Sequence, residues 1–94
     1  MKNKNTKIVA LIHGFYIFGE EVEAPAGFIK FVNAAMFGGF SGGKGMPGVA
    51  RGDSKATVNL DQFLQDQELI APLSSVVFII DCVDLYKFKG TTLR

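Results

Sequence analysis

The chain has 94 residues, 48% of them hydrophobic, with 10 Lys plus Arg against 9 Asp plus Glu and a net charge of +1. That length bounds it to one domain with a modest core, and near-neutrality excludes a whole-molecule field that draws it to nucleic acid, so any such binding rests on a local patch. The single cysteine, Cys82, and single histidine, His13, exclude an intramolecular disulfide and a metal-ligand set. A reducing compartment, the cytoplasm, fits best.

Residues Met1 to Thr6 are polar and too few for a helix, so 1–6 is expected to fray. Lys2, Lys4 and Lys7 ahead of the apolar run Ile8 to Phe18, with Ala24-Pro25-Ala26 beyond it, raise a secretory leader; Glu20, Glu21 and Glu23 before the cleavage site argue against one. The same run is too short to span a bilayer, and no membrane partner is expected.

The stretch from Ile8 to Asn33 reads as strand, turn, long bent strand, turn and strand. The strands are predicted at Lys7 to Ile12, Phe15 to Ala24 and Phe28 to Met36, with the second turn at Pro25-Ala26-Gly27. Gly14 falls where the first strand turns. Gly19 falls where the second bends, because glycine inside a strand marks a bulge, a sharp bend or a close backbone approach. Two such glycines in one hairpin point to a small, highly curved sheet.

From Phe37 to Asp53 the composition turns to glycine, FGGFSGGKGMPGVARGD, and a loop is expected that is mobile or held by a protein partner, a neighbouring subunit or a ligand. A short strand follows at Ala56 to Leu60, then a polar or helical turn at Asp61 to Gln67 around Phe63 and Leu64. The insertion as a whole spans about 37–67. Glu68 to Ala71 makes a fourth principal strand, Pro72-Leu73-Ser74-Ser75 a tight turn, and Val76 to Ile80 a fifth. VVFII is apolar at every position, which predicts burial on both faces, one of them against another subunit. In the tail, Val83, Leu85, Tyr86 and Phe88 dock and 88–94 is expected to be loose.

The spacing of Leu11, Gly14 and Gly19, a third strand with Asn33 near its end, and the closing Leu73, Ser74 and Val76 of Glu-Leu-Ile-Ala-Pro-Leu-Ser-Ser-Val-Val-Phe-Ile together resemble the Sm-like (LSm) family, nearest its bacterial Hfq-like RNA-chaperone branch. The likeness covers Ile8 to Ala35 and Glu68 to Ile80. It implies an all-β fold, a strongly bent five-stranded antiparallel barrel of the Sm-like or SH3-like kind filling residues 1–94. It also implies a hexameric or heptameric ring in which the fourth principal strand of one subunit pairs with the fifth of the next. The residues expected at that contact are Leu69, Ile70, Val76, Val77, Phe78, Ile79 and Ile80. The sequence departs from the family where uridine is held: Pro25-Ala26-Gly27 replaces an acidic turn, and Ala71-Pro72 replaces a basic pair. No counterpart of the family's N-terminal helix is expected within residues 1–6.

Single-stranded RNA is therefore expected, if anywhere, at Phe37, Phe40, Lys44, Arg51 and Lys55, where cations for phosphates alternate with aromatic faces for bases. The plainer reading buries the two phenylalanines against a neighbour and leaves the cations solvated. Gly38 to Gly45, GGFSGGKG, approaches a phosphate-binding loop. It lacks the Ser or Thr that holds magnesium, and Gly45-Met46-Pro47-Gly48 is expected to start no helix. Arg51-Gly52-Asp53 reads as turn residues, His13 as a turn or surface residue, and Cys82 as a small buried hydrophobe. No catalytic constellation and no cofactor motif is visible. The expected functions are an Sm-like ring that binds RNA, or the same ring as a scaffold without enzymatic activity.

Overall fold

The computed structural model describes residues 5–42, 45–62 and 67–93. Among them, seven strands form one sheet: β1 Thr6–Leu11, β2 Phe15–Val22, β3 Phe28–Ser41, β4 Thr57–Gln62, β5 Leu69–Pro72, β6 Val76–Asp81 and β7 Thr91–Leu93. One short helix, α1 at Met46–Arg51, and two 3-10 turns, Ile12–Gly14 and Leu73–Ser75, complete it. The fold is a small β-rich domain, as the strand pattern predicts.

The sheet runs β6-β1-β2-β3-β4-β7, and β5 pairs with β3 off that path. Two elements can share β3 because it is long and bent: Phe28 to Phe31 pair with Leu69 to Pro72 of β5, and Ala35 to Ser41 pair with β4. The bend is a bulge in the β2/β3 ladder, where Phe18 faces Ala35 but Glu20 faces Val32. Gly19 lies between those two positions, as the sequence predicts. A Cβ there would stand 3.1 Å from the Cβ of Phe31 and 3.3 Å from that of Ala34, closer than neighbouring side chains pack. Opposite it, Asn33 takes the left-handed φ of 51°, which asparagine tolerates better than most residues. Gly14, with φ +84°, closes the β1–β2 turn, and Ala26-Gly27 close the next, with the Phe28 N–H donating to the Pro25 carbonyl at 3.1 Å.

Strand alternation sends consecutive residues to opposite faces, and here both faces are covered. Ile8, Phe18 and Ala35 face a core completed by Val49 of α1, Val58 and Leu60 of β4, and Leu85 of the tail. Val9, Ile17, Ile29, Phe31, Ala34 and Ala71 form a second core in the hollow of the bent sheet. Each large apolar side chain contributes about 1.5–3 kcal/mol when fully withdrawn from water.

Three expectations are corrected. The sheet has seven strands rather than five, and it is open: β5 and β6 are joined by the 3-10 turn at Leu73–Ser75 and share no ladder among the described residues. The glycine-rich stretch is not simply a loop, since β3 continues through Phe37, Gly39 and Phe40 to Ser41 on the hydrogen bonds of β4. A helix does follow it. In α1, Pro47 occupies the first turn, where its missing N–H costs nothing, Met46, Val49 and Ala50 are buried, and the helix stops at left-handed Gly52. Within the single chain β6 ends the path and Val77, Phe78 and Ile79 of VVFII stay exposed, the face for which burial against another subunit is expected.

At the two ends of the described residues, Thr6 and Thr91–Leu93 belong to strands. Thr6 is buried at the start of β1, with its hydroxyl donating to the Cys82 carbonyl at 2.5 Å. Thr91–Leu93 pair in parallel with Val58 to Leu60. The turn expected around Phe63 and Leu64 lies outside the described residues.

Candidate functional site

The interface candidates divide in two. Leu69 and Val76 pack against the hollow core, and Ile80 packs against the outer core. Ile70, Val77, Phe78 and Ile79 are exposed. Val77 stands out because the β1/β6 register slips there: Ala10 faces Phe78 and Leu11 faces Val76, leaving Val77 between the two pairings. That bulge lets Val76 reach the hollow core while Phe78 lies in the row of Ala10 and Tyr16.

Each of β5 and β6 is paired along one edge only among the described residues, β5 with β3 and β6 with β1. An unpaired edge presents a row of free backbone donors and acceptors and templates pairing with another chain. The usual protections are sparse here. β6 carries one charged residue, Asp81, already engaged with Lys7 of β1, and β5 ends in Pro72. Lys30 of β3 pairs with Glu68 beside β5 at 3.2 Å, a partly exposed contact worth at most about 1 kcal/mol.

An aromatic row crosses the outer face of the sheet. Tyr16 lies 6.2 Å from Phe37, 6.1 Å from Phe40 and 6.4 Å from Phe78 between ring centroids, and Phe37 and Phe40 meet edge-to-face at 6.0 Å. Such pairs add about 0.5–1.5 kcal/mol each beyond burial. They also occupy one another's faces. Phe37 is half-buried against the outer core, whereas Phe40 keeps more than a third of its surface in water. Tyr16 is the centre of the row and is not legible as such in the sequence: it shares alternation parity with Phe18, but its contacts depend on the Phe37–Phe40 continuation of β3.

Of the expected RNA-binding cations, Lys55 is exposed in the turn before β4, close to the end of β3, since a Cβ on Gly42 would collide with the Lys55 carbonyl oxygen. Arg51 is exposed at the last position of α1. Lys44 lies outside the described residues. Arg51-Gly52-Asp53 is the helix terminus: the Asp53 N–H donates to the Gly48 carbonyl at 2.9 Å, and its carboxylate accepts from the Lys55 N–H at 2.9 Å.

Among the described residues no three His, Cys, Asp or Glu side chains are grouped to hold a metal ion. His13 is exposed in the first 3-10 turn with φ 69°. Burial, and secondarily the charge of Asp84, push the Cys82 thiol up to about 12, which leaves it without nucleophilic character at neutral pH. No helix among the described residues is long and apolar enough to cross a membrane.

Comparison of the chain with protein-family models and with curated proteins finds no match.

Proposed function

We propose that this chain is the subunit of an Sm-like homo-oligomeric ring that serves as a scaffold, joined by the β5 edge of one copy to the β6 edge of the next. The observation that carries the reading is the apolar β6 edge, with Val77, Phe78 and Ile79 exposed and one side unpaired. The strand succession β6-β1-β2-β3-β5, bent at Gly19 and Asn33, supports it by placing β5 and β6, the fourth and fifth principal strands, at its two ends, where the resemblance implies that subunits pair. A six- or seven-membered ring is the corresponding assembly. The contact is heterologous, so a rotation that closes yields a ring and one that does not yields a filament.

Substitution of Ile79 by Lys tests the reading. Ile79 is 40% exposed, so the fold should survive while each heterologous contact must bury an unpaired lysine charge against apolar β5. Loss of the oligomer with an unchanged circular dichroism spectrum supports the ring, and an unchanged oligomer contradicts it.

Single-stranded RNA is the second reading. Phe40 remains partly exposed near the end of β3 that Lys55 approaches, which favours a stacking contact beside a phosphate contact. Mutual engagement of the Phe37 and Phe40 rings weighs toward the scaffold instead. Absorbance of the purified protein at 260 and 280 nm separates the two.

A further inference from the structure

Three turns of the chain meet at one corner of the sheet. Leu11, at the mouth of the Ile12–Gly14 turn, faces both Phe15 of β2 and Val76 of β6. Val76 follows the Leu73–Ser75 turn, the Leu73 N–H donates to the Gly27 carbonyl at 2.9 Å, and Phe28 faces Pro72. A connection of only three residues between β5 and β6 therefore ties the Ala26-Gly27 turn to the β1–β2 turn.

This corner carries Ile12, Phe15, Phe28, Leu73 and Val77, each between 45% and 62% exposed. No residue among 11–15, 25–28 or 72–77 is Lys, Arg, Asp or Glu, although 20% of the chain is charged. His13 is the sole titratable side chain in those three segments. Apolar surface of this extent on a soluble protein marks an interaction site.

We propose that the corner docks a second copy of the same chain, corner to corner across a two-fold axis. The chemistry selects this occupant. Nucleic acid and anionic lipid surfaces are held by cations, and the corner has none. An isologous contact asks only that a surface be complementary to itself, and an uncharged apolar surface meets that condition without any charge pairing. The extent is sufficient. Five large side chains near half exposure, with exposed Pro25, Ala26 and Pro72 among them, offer on the order of 500 Å² per copy. Two copies then bury about 1,000 Å² together, the lower bound for a specific interface, with affinity at the weak end. The corner shares Val77 with the β6 edge and Pro72 with β5, whereas Ile12, Phe15, Phe28 and Leu73 lie outside those strands, so corner pairing adds a two-fold contact to whatever the β5 and β6 edges assemble.

Sedimentation velocity from micromolar to several hundred micromolar protein tests it on the full chain. The wild type should reach an even number of copies at the upper concentration. Phe15→Glu with Leu73→Glu should halve that mass while leaving the circular dichroism spectrum and Tm in place. Should the double variant fail to fold, Leu73→Ser, in an exposed turn and uncharged, serves instead and should weaken the doubling at least tenfold. An odd number of copies or a single chain at several hundred micromolar overturns the proposal, as does a folded variant of wild-type mass. The Ile79→Lys variant separates this from the ring: corner pairing alone leaves it a dimer, whereas a ring without corner pairing leaves it a monomer.

Discussion

The Tyr86 hydroxyl donates to the backbone carbonyl of Asn33 at 2.6 Å, fastening the C-terminal segment to the residue about which β3 bends. The Tyr86 ring also meets Phe18 edge-to-face at 5.3 Å. The bend in β3 and the cover over the outer core are therefore coupled. Tyr86→Phe should lower stability by about 1 kcal/mol, the usual net worth of one hydrogen bond. Asn33→Ala should cost about 1–2 kcal/mol because of its positive φ, and Asn33→Gly much less. Urea unfolding of the three variants checks the order.

Gly19 should be among the least replaceable positions. With a Cβ placed 3.1 Å and 3.3 Å from those of Phe31 and Ala34, Gly19→Val forces β2 away from β3 at the bulge. The expected loss is roughly 1–3 kcal/mol, as for other overpacked sites. Chemical denaturation measures it, and a variant as stable as the wild type would show that the bend does not need this close approach.

Much of the bend is legible in the sequence because its signals are local. Gly14, Gly19 and Pro25-Ala26-Gly27 punctuate an alternating apolar pattern, and Ile8/Val9 and Ile17/Phe18 supply neighbours for two opposite faces. The continuation of β3 is not legible: Phe37-Gly38-Gly39-Phe40 has poor strand propensity and is held by pairing with β4, where Phe37 faces Leu60 and Phe40 faces Val58. α1 likewise forms from the weak sequence MPGVAR through burial of Val49 and Ala50. An unbroken apolar strand reads as interior, and VVFII has that composition while standing at an edge. The expected RNA-binding aromatics are identifiable as residues, but their contacts with Tyr16 arise only once β2 and β3 are paired.

The Cys82 thiol should resist alkylation by iodoacetamide in the folded protein and react on unfolding, because burial disfavours its thiolate. The sign of its pH dependence follows. The folded thiol stays protonated up to about 12, while the unfolded one ionises near ~8.5. Its contribution to stability is therefore complete below the unfolded value and is lost as pH rises through that window. Cys82→Ala should flatten the decline in Tm between neutral and alkaline pH relative to wild type, and parallel curves would contradict this assignment.

If RNA is bound at the end of β3, its affinity should fall with salt, and replacing Arg51 and Lys55 by Ala should reduce the logarithmic slope by about 0.7 for each phosphate that is no longer neutralised. Phe40→Ala should instead weaken binding by about 1–3 kcal/mol with the slope unchanged. Fluorescence anisotropy with an oligouridine checks both. Wild-type affinity in all variants would remove this surface from consideration.

The most direct measurement of the central claim is the mass of the wild-type protein in solution, by light scattering at micromolar concentration. One chain weighs 10.2 kDa. Assembly through the β5 and β6 edges is expected to give six or seven times that mass, or double that where corners also pair. A mass of one chain at every concentration would contradict it.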